Sequence, residues 1–247
     1  MYVGIDVGGT NLKAGLVDET GHILAVERTP LDFRGPEAFA ATLAELSKAV
    51  MAAGGAEPAQ VEYVGVGLPG AVSGGDVVYT TNIPMENVPL ESLFRRTLDL
   101  PLLLGNDADC AAVGEFFCGA GQGTEDFVVV TLGTGIGTAL IYNGVLIPNT
   151  ELGHIELEGG KGDAERYASS AVRERKELSY KKWAKRLTKY YSLIEKYFSP
   201  SLIVIGGGVS RKSDNFVPFI DIDTPIVPAK LRNEAGIIGA AYYASTK

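Results

Sequence analysis

The sequence is poor in the residues that build cross-linked or metal-rich folds. It contains two cysteines, Cys110 and Cys118, and two histidines among 247 residues. Two cysteines cannot form a disulfide framework, and they are typical of a reducing compartment. No apolar run reaches 18 residues, and no basic–apolar–small leader pattern is visible at the start. We therefore expect a soluble, cytoplasmic protein that has no membrane partner.

Several common catalytic motifs are also missing. The sequence contains no H-E-x-x-H, no G-x-x-x-x-G-K-[ST] and no G-x-S-x-G, so the zincin, P-loop and α/β-hydrolase signatures are absent. The net charge of −8 argues against general nucleic-acid binding. The hydrophobic content of 46% is ample for a core, and the length allows one large or two small domains.

What the sequence does contain is a glycine cluster between two apolar runs, FVVVTLGTGIGTALIY at 127–142. The dinucleotide fingerprint G-x-G-x-x-G would need a glycine at Thr138 and a helix after it. The following residues are rich in Ile, Leu and Tyr and favour a strand instead. The segment therefore predicts a strand–turn–strand unit and disfavours a Rossmann fold.

The same plan occurs at the start of the chain. MYVGIDVGGTNLKAGLVDETGHIL and DFVVVTLGTGIGTALIYNGVLI each show a strand, a glycine turn with threonine, a second strand, a polar turn and a third strand. We interpret this as an internal duplication, which predicts two α/β domains with a central cleft. The backbone N–H groups of both glycine turns would face one phosphate chain. The predicted domains are 1–107, joined by a C-terminal helix at 232–247, and a larger second domain at 108–231.

The remaining pattern predicts the other elements. Apolar periodicity predicts helices at 36–53, 90–99, 164–172 and 179–198. A buried strand is expected within 61–72, and PLLLGND at 101–107 predicts a strand that precedes a helix.

Two segments of the first half combine glycines or strand ends with charged groups. Asp6 ends a strand beside a glycine turn, where its carboxylate could hold Mg²⁺ directly or through water, while Lys13 could face a phosphate. A plain hairpin with Asp as a turn residue is the alternative. Asn106 and Asp107 lie between a strand and a helix, so Asp107 is either a helix N-cap or a group that positions a reacting hydroxyl.

A third segment, NTELGHIELEGGKGDAERYAS, carries Glu151, His154 and Glu165. Carboxylates and an imidazole suit a polyhydroxylated ligand, because each accepts from or donates to vicinal hydroxyls. A core histidine is the alternative for His154. A zinc site is not expected, because the sequence has no C-x-x-C.

Positive charge is concentrated in one predicted helix. Residues 166–196 hold 10 of the 22 Lys and Arg residues, and Lys181, Lys185 and Lys189 recur every fourth position. Like charges at this spacing repel each other, and a merely solvated face would more often mix signs. The pattern indicates a surface that faces a polyanion, with a solvated face as the alternative. The candidate residues are Lys181, Lys182, Lys185, Arg186 and Lys189.

Six segments together resemble the ROK family of sugar kinases and repressors. They are GIDVGGTNLKAGLVD, GVGLPGAV, NDADCAAVGE, TLGTGIGTAL, ELGHIELEGG and IVIGGGVS, and they span nearly the whole chain in order. The resemblance implies the actin-like ATPase fold shared with hexokinases, Mg²⁺ as cofactor and a homodimer. Most of the family carries a cysteine-rich zinc motif after the Gly-His pair, which is missing here.

The resemblance also implies residue roles. Asp107 would be the catalytic base. The sugar would be held by Asn106, Glu151, His154, Glu165 and Gly70. The phosphates would be bound by Asp6, Gly8, Gly9, Thr10, Asn11, Lys13, Thr131, Gly133, Thr134, Gly135 and Gly137, and the nucleoside end of the donor by Gly206, Gly207 and Gly208.

Long stretches at residues 148–187, 206–219 and 225–244 resemble one branch of the family, the polyphosphate glucokinases. This branch transfers phosphate from inorganic polyphosphate, often also from ATP, to the 6-hydroxyl of glucose. No helix-turn-helix precedes the first glycine turn, so the repressor branch is not expected. The alternatives are an ATP-only kinase for glucose, mannose, fructose or N-acetylmannosamine, and a sugar-sensing or polyphosphate-binding module without turnover.

Overall fold

The computed structural model describes residues 1–159 and 162–246. It divides into two compact units, Met1–Cys118 with Asn233–Lys247, and Gly119–Arg232. The first boundary therefore follows Cys118 rather than residue 107, and the unit that contains the N-terminus is the larger one. Residues 160, 161 and 247, which fall in the predicted sugar motif and the predicted C-terminal helix, lie outside the described residues.

Thirteen strands and seven α-helices make up the described chain. The strands of the first unit are β1 (Tyr2–Val7), β2 (Asn11–Val17), β3 (Ile23–Pro30), β4 (Val64–Leu68), β5 (Gly70–Ser73), β6 (Asp76–Thr80), β7 (Glu86–Val88) and β8 (Leu102–Asn106). Those of the second unit are β9 (Phe127–Leu132), β10 (Ile136–Tyr142), β11 (Val145–Ile147), β12 (Leu202–Gly206) and β13 (Ile226–Pro228). The helices are α1 (Pro36–Ala53), α2 (Leu90–Arg95), α3 (Asp107–Cys118), α4 (Ala164–Ala168), α5 (Ser170–Arg175), α6 (Tyr180–Phe198) and α7 (Ala235–Tyr242).

The main sheets of the two units have the same construction. Their strand orders are β3-β2-β1-β4-β8 and β11-β10-β9-β12-β13. In each sheet the first three strands along the chain are antiparallel neighbours, and the fourth and fifth are added in parallel. The predicted duplication of an α/β unit is therefore confirmed.

A third, small sheet of order β5-β6-β7 is a feature that the sequence patterns did not predict. The predicted buried strand within 61–72 ends at Leu68, and Gly70 begins a strand of a different sheet. Pro69 lies between the two strands, and proline cannot donate a ladder hydrogen bond. The chain therefore leaves the first sheet at this position.

The helix α7 packs very closely on the first sheet and on α3. A Cβ at Gly4 or Gly65 would overlap the carbonyl oxygens of Ile237 and Ala240, and one at Gly239 would overlap that of Cys110. Glycine is required at these close approaches, because any side chain would push the backbones apart. This packing explains why α3 and α7 belong to the same unit as β1.

The predicted helix at 164–172 is interrupted in the structure. Ser169 is extended (φ −61°, ψ 159°), and its hydroxyl accepts from the Val172 N–H at the start of α5. The indole N–H of Trp183 donates to the carbonyl oxygen of Ala168, the last residue of α4. The serine N-cap and the buried tryptophan therefore stabilise two short helices in place of one.

Candidate active site

The first glycine turn joins β1 to β2 and is flanked by an ion pair. Asp6 and Lys13 are opposite each other in the antiparallel register, with 3.8 Å between Lys13 Nζ and Asp6 Oδ2. Burial raises the pKa of the Asp6 carboxyl, and Lys13 opposes this effect only in part. Asp6 also lies against Gly236 of α7, where a Cβ would contact its carboxyl group. The pair is thus a partly desolvated charge cluster at the base of the turn.

The turn itself is open to solvent. Gly9, Thr10 and Asn11 are exposed, and the Gly8 N–H donates to the carbonyl oxygen of Asn11 at 3.0 Å. A Cβ at Gly9 would meet no atom within 4 Å. The space beside Gly9 is therefore wide enough for a ligand to approach the backbone.

Asn106 and Asp107 lie at the junction of β8 and α3. The Asn106 Oδ1 accepts from the backbone N–H groups of Ala108 (2.8 Å) and Asp109 (3.2 Å), and its Nδ2 donates to the carbonyl oxygen of Gly70 (3.0 Å). Asn106 rather than Asp107 therefore caps the helix, which corrects the N-cap alternative for Asp107. One N–H of the Asn106 amide is left for a ligand.

The structure brings Asp6 and Asp107 to the same edge of the first sheet. Asp6 pairs with Gly67 of β4, and Gly67 pairs with Gly105 of β8. The pKa of the buried Cys110 thiol is raised well above its usual value by burial, and then by the carboxylates of Asp109, Asp107 and Asp6. Asp6 and Asp107 therefore both raise the pKa of one thiol, because the parallel strands β1, β4 and β8 end at the same edge of the sheet.

The second glycine turn joins β9 to β10 and is held by neighbouring groups. The Gly133 N–H donates to the carbonyl oxygen of Gly135 (3.0 Å), and the Gly133 carbonyl accepts from the Ala171 N–H (3.0 Å). The Glu165 Oε2 accepts from the Ile136 N–H at 2.9 Å, and a Cβ at Gly135 would overlap that carboxylate. Glu165, predicted only as a sugar ligand, thus also anchors the turn and leaves Oε1 for a ligand.

Glu151 precedes a single 3₁₀ turn, Leu152–His154, which His154 ends and which contacts β10. The Thr138 hydroxyl donates to the carbonyl oxygen of Thr150 (2.6 Å) and accepts from the Leu152 N–H (2.9 Å). Both Glu151 and His154 are exposed, so the core-histidine alternative is wrong. The buried Thr138 therefore fixes this segment beside the strand that carries Gly137.

Sequence reasoning missed Asp163. Its Oδ2 lies 3.4 Å from the His154 Nδ1, and its Oδ1 accepts from the Arg166 N–H at 2.7 Å as the N-cap of α4. The pKa of the Asp163 carboxyl is lowered, first by the Arg166 N–H and also by His154. A capping aspartate before Ala-Glu-Arg was a visible signal, but the chain folds back through a bridge between Glu156 and Asp163 to reach His154.

Gly206 is the last residue of β12, which pairs in parallel with β9, and Gly207 and Gly208 follow it. Gly207 has a φ of 80°, and a Cβ there would overlap the carbonyl oxygen of Leu132. The glycines at the ends of β9 and β12 therefore lie side by side, as the common edge of parallel strands requires.

The cationic helix α6 exposes most of its predicted row. Lys181, Lys182, Lys185 and Lys189 are exposed, whereas Arg186 is half-buried. The Arg186 Nη1 donates to the carbonyl oxygen of Tyr167 (2.8 Å), and its guanidinium stacks on the Tyr167 ring at 4.6 Å. We therefore narrow the candidate surface, here called the lysine row, to the four lysines.

Comparison with known sequences decides the family. A sequence profile of the ROK family matches residues 2–171. Polyphosphate glucokinase of Mycobacterium tuberculosis (strain CDC 1551 / Oshkosh) is 41% identical over 245 residues, covering 96% of this chain and 89% of that protein. The chain belongs to the ROK family. Glucokinase of Thermotoga maritima, at 30% identity, is also similar over 97% of this chain and 95% of its own length.

Solved structures agree with this assignment. The inorganic polyphosphate/ATP-glucomannokinase of Arthrobacter sp. strain KM superposes with a TM-score of 0.85 and 41% identity, covering 99% of this chain and 98% of that one. A ROK family glucokinase of Streptomyces griseus in complex with glucose and AMPPNP gives a TM-score of 0.78 and 26% identity, covering 100% and 99%. The protein has the actin-like hexokinase fold of the ROK kinases and is a kinase.

The described part of the chain shows neither a side-chain cluster for a metal ion nor a membrane-spanning helix. Within residues 1–159 and 162–246, no group of three or more His, Cys, Asp or Glu side chains is arranged to hold a metal ion. No helix of that part is both long and apolar enough to cross a membrane.

Proposed function

We propose that this ROK kinase transfers a phosphoryl group from inorganic polyphosphate, and also from ATP, to the 6-hydroxyl of glucose. The observation that carries the proposal is the 41% identity to polyphosphate glucokinase over 96% of the chain. The similarity to the Arthrobacter enzyme, which is named for both donors and for two sugars, supports the use of both donors.

In this proposal Asp107 receives the proton of the glucose 6-hydroxyl. Its carboxylate is exposed at the start of α3, where Asn106 caps the helix and the Asp107 Oδ1 accepts from the Ala108 N–H at 2.9 Å. The transition state of phosphoryl transfer is loose and asks mainly for a positioned hydroxyl, so a strong base is not required.

The sugar hydroxyls are bound by groups whose hydrogen-bonding capacity is only partly used within the protein. Asn106 offers one N–H, and Glu165 offers its Oε1. Glu151 and His154 offer exposed polar atoms, with Asp163 orienting the imidazole at 3.4 Å. The Gly70 carbonyl keeps one lone pair beside the Asn106 amide.

The donor phosphates are bound by the two glycine turns. We assign this role to the set Asp6, Gly8, Gly9, Thr10, Asn11, Lys13, Thr131, Gly133, Thr134, Gly135 and Gly137, and the donor end to Gly206, Gly207 and Gly208. Backbone N–H groups and the Lys13 ammonium stabilise charge on the phosphoryl oxygens.

Mg²⁺ fits the residues present around Asp6. A magnesium ion in kinases is commonly held by one or two carboxylates, with waters and substrate phosphates as the other ligands. The half-exposed Asp6 carboxylate supplies one such ligand, and the bound ion would neutralise charge on the transferred phosphoryl group.

We further propose that the protein is a cytoplasmic homodimer that needs no zinc and binds neither nucleic acid nor membranes. The two free thiols, one of them buried, support a reducing compartment. Size-exclusion chromatography with light scattering measures the oligomeric state, and a mass of about 26 kDa would contradict the dimer.

The test of the activity is formation of glucose 6-phosphate with Mg²⁺, with polyphosphate and ATP supplied separately. Product with polyphosphate supports the proposal. Product with ATP alone supports an ATP-only hexokinase, a second candidate favoured by the glucose and AMPPNP complex of the similar Streptomyces enzyme. No product with either donor and any hexose contradicts both, and leaves a sugar-sensing or polyphosphate-binding module.

A further inference from the structure

A cavity of about 320 Å³ lies beside the second glycine turn, entirely within the second unit. Gly133 and Thr134 form part of its wall, and Gly208 of the third glycine segment forms another. The charged side chains that line it are Arg173, Lys212 and Glu174. The second glycine turn and the segment Gly206–Gly208 therefore line one cavity together with two cationic side chains, neither of which belongs to a predicted motif.

One N–H donor of the Arg173 guanidinium has no acceptor among the described residues. Its Nε is buried and has no hydrogen-bond partner within residues 1–159 and 162–246. Its Nη2 makes a long contact of 3.4 Å with the carboxylate of the adjacent Glu174, which is mostly exposed. A buried donor that has no acceptor is unfavourable, so an acceptor for this edge of the guanidinium is missing.

Arg173 also packs on two aromatic rings, and this contact does not use its N–H donors. Its guanidinium carbon lies 4.6 Å from the ring centre of Tyr180 and 6.0 Å from that of Trp183. Stacking uses the face of the guanidinium, whereas its N–H groups bind oxygens at the edge. The rings therefore fix the plane of the guanidinium and leave the edge to bind an anion.

The chemistry of the missing acceptor follows from the lining. Arg173 and Lys212 outweigh the single carboxylate of Glu174, so the cavity favours an anion. Guanidinium groups bind phosphate oxygens at their N–H edge with charge-assisted hydrogen bonds. The adjoining glycine turn already presents backbone to a phosphate in the proposed function.

We propose that Arg173 and Lys212 bind phosphoanhydride oxygens of the phosphoryl donor, at phosphates beyond the one held by the turn Gly133–Gly135. The inference rests on the proposed function for the identity of the donor. The bound chemistry is the same for a polyphosphate chain and for the phosphates of ATP, so the two donors are separate arms of the test.

The first test is direct binding, which needs no turnover. Isothermal titration calorimetry with tripolyphosphate, and separately with ATP, would compare the wild-type protein with Arg173→Gln and Lys212→Gln. We expect each change to weaken binding about tenfold or more, the loss of one charge-assisted interaction. Arg175→Gln is the matched control, because Arg175 is an exposed arginine of the same helix that does not line the cavity.

The second test is steady-state kinetics with each donor. Both variants should raise the donor KM about tenfold with little change in the glucose KM. Arg173→Lys keeps a cation beside the rings and should lie between wild type and Arg173→Gln in both assays. Lys212 is exposed, so Lys212→Gln reports on the site even if loss of the Arg173 stack reduces stability.

The outcomes separate the inference from the proposed function. Unchanged tripolyphosphate and ATP affinity in both variants, or an equal loss in Arg175→Gln, would overturn the phosphate site. A loss with tripolyphosphate alone assigns the site to the polyphosphate chain, and a loss with ATP alone assigns it to the nucleotide. A wild-type protein that makes no glucose 6-phosphate would refute the proposed function, while the calorimetry would still decide the site.

Discussion

The two glycine turns lie at matching places in two sheets of identical strand order, yet they differ in what surrounds them. Asp6, the penultimate residue of β1, faces the ammonium of Lys13, whereas Thr131, the penultimate residue of β9, donates to the carbonyl oxygen of Gly137 at 3.3 Å. A charged pair in one half therefore corresponds to a neutral hydrogen bond in the other. The shared framework fixes the turns and leaves the polar chemistry to individual side chains.

The helices that precede the fourth strand of each sheet differ even more. In α1 the charged residues are Glu37, Glu45 and Lys48, and Lys48 pairs with Glu45 at 2.8 Å. In α6 six Lys or Arg residues accompany a single acidic residue, Glu195. Positive charge is thus concentrated in one helix of the second unit, in a protein that is acidic as a whole.

The largest expected effect follows from removal of the proposed catalytic base, Asp107, in the first unit. Asp107→Asn should lower kcat by about 10²–10⁴, because general base catalysis is worth this much, while the glucose KM changes little. The fifth strand of the second sheet is followed by Ala229, so the other half offers no substitute. Steady-state kinetics measures the effect, with the exposed Asp99→Asn as the control. An unchanged kcat would remove Asp107 from its role.

The next largest effect tests the difference in charge between α6 and α1. Replacement of Lys181, Lys185 and Lys189 by Glu should raise the polyphosphate KM about tenfold or more, because a cationic surface would become anionic toward a polyanion. The ATP KM should change much less, and wild-type polyphosphate affinity should fall with added salt. Lys48→Glu in α1 is the matched control. Equal increases in the KM for polyphosphate and the KM for ATP would contradict the role of the lysine row as a polyphosphate surface.

A smaller effect should separate the two turns. Glu165→Ala removes the acceptor of the Ile136 N–H, so this amide should exchange with solvent about tenfold faster. Hydrogen exchange by NMR measures it, with Glu165→Gln expected to retain most protection through its remaining oxygen. The Gly8 amide, which bonds within its own hairpin, serves as the internal reference. Unaltered Ile136 exchange in the alanine variant would show that the carboxylate is not the anchor.

The smallest effect tests the charged pair itself. Burial raises the pKa of Asp6, so its ionised form is disfavoured by folding, and stability from this group is lost as pH rises through that pKa. Asp6→Asn should therefore raise Tm at pH 7 by about a degree or two, a gain that disappears at a pH below the pKa. Thr131→Val should show no such pH dependence. Differential scanning calorimetry measures the Tm of each variant. A Tm at pH 7 that is lower in Asp6→Asn than in the wild type would contradict the expectation.

Local pattern predicted much of the framework from the sequence. The bounds of α1 coincide with the predicted helix at 36–53, because Gly35 precedes it, Pro36 begins it and Gly54 follows it. The repeated plan predicted that the two halves share one construction, and the matching strand orders of the two main sheets confirm it. The break at Ser169 was not predicted, since it depends on Trp183, fifteen residues away, donating to Ala168.

Residue types were predicted better than their contacts. Sequence pattern brought out Glu165 and Arg186 as polar groups of interest, but the Ile136 amide that Glu165 binds lies 29 residues away, and Arg186 stacks on Tyr167. Arg173 and Lys212 were not predicted as site residues, because they lie on separate segments that meet at one cavity only in the folded second unit. Side-chain partners at such separations leave no periodic trace in a single sequence.

The glycine contacts of α7 have a consequence for biosynthesis. The second unit is one continuous segment, whereas the first needs residues 233–246 to cover the glycines of β1 and β4. A ribosome therefore completes the second unit before it completes the first, although the first began earlier. Until α7 emerges, the nascent chain carries an uncovered sheet face, and the order of domain maturation is the reverse of the order of translation.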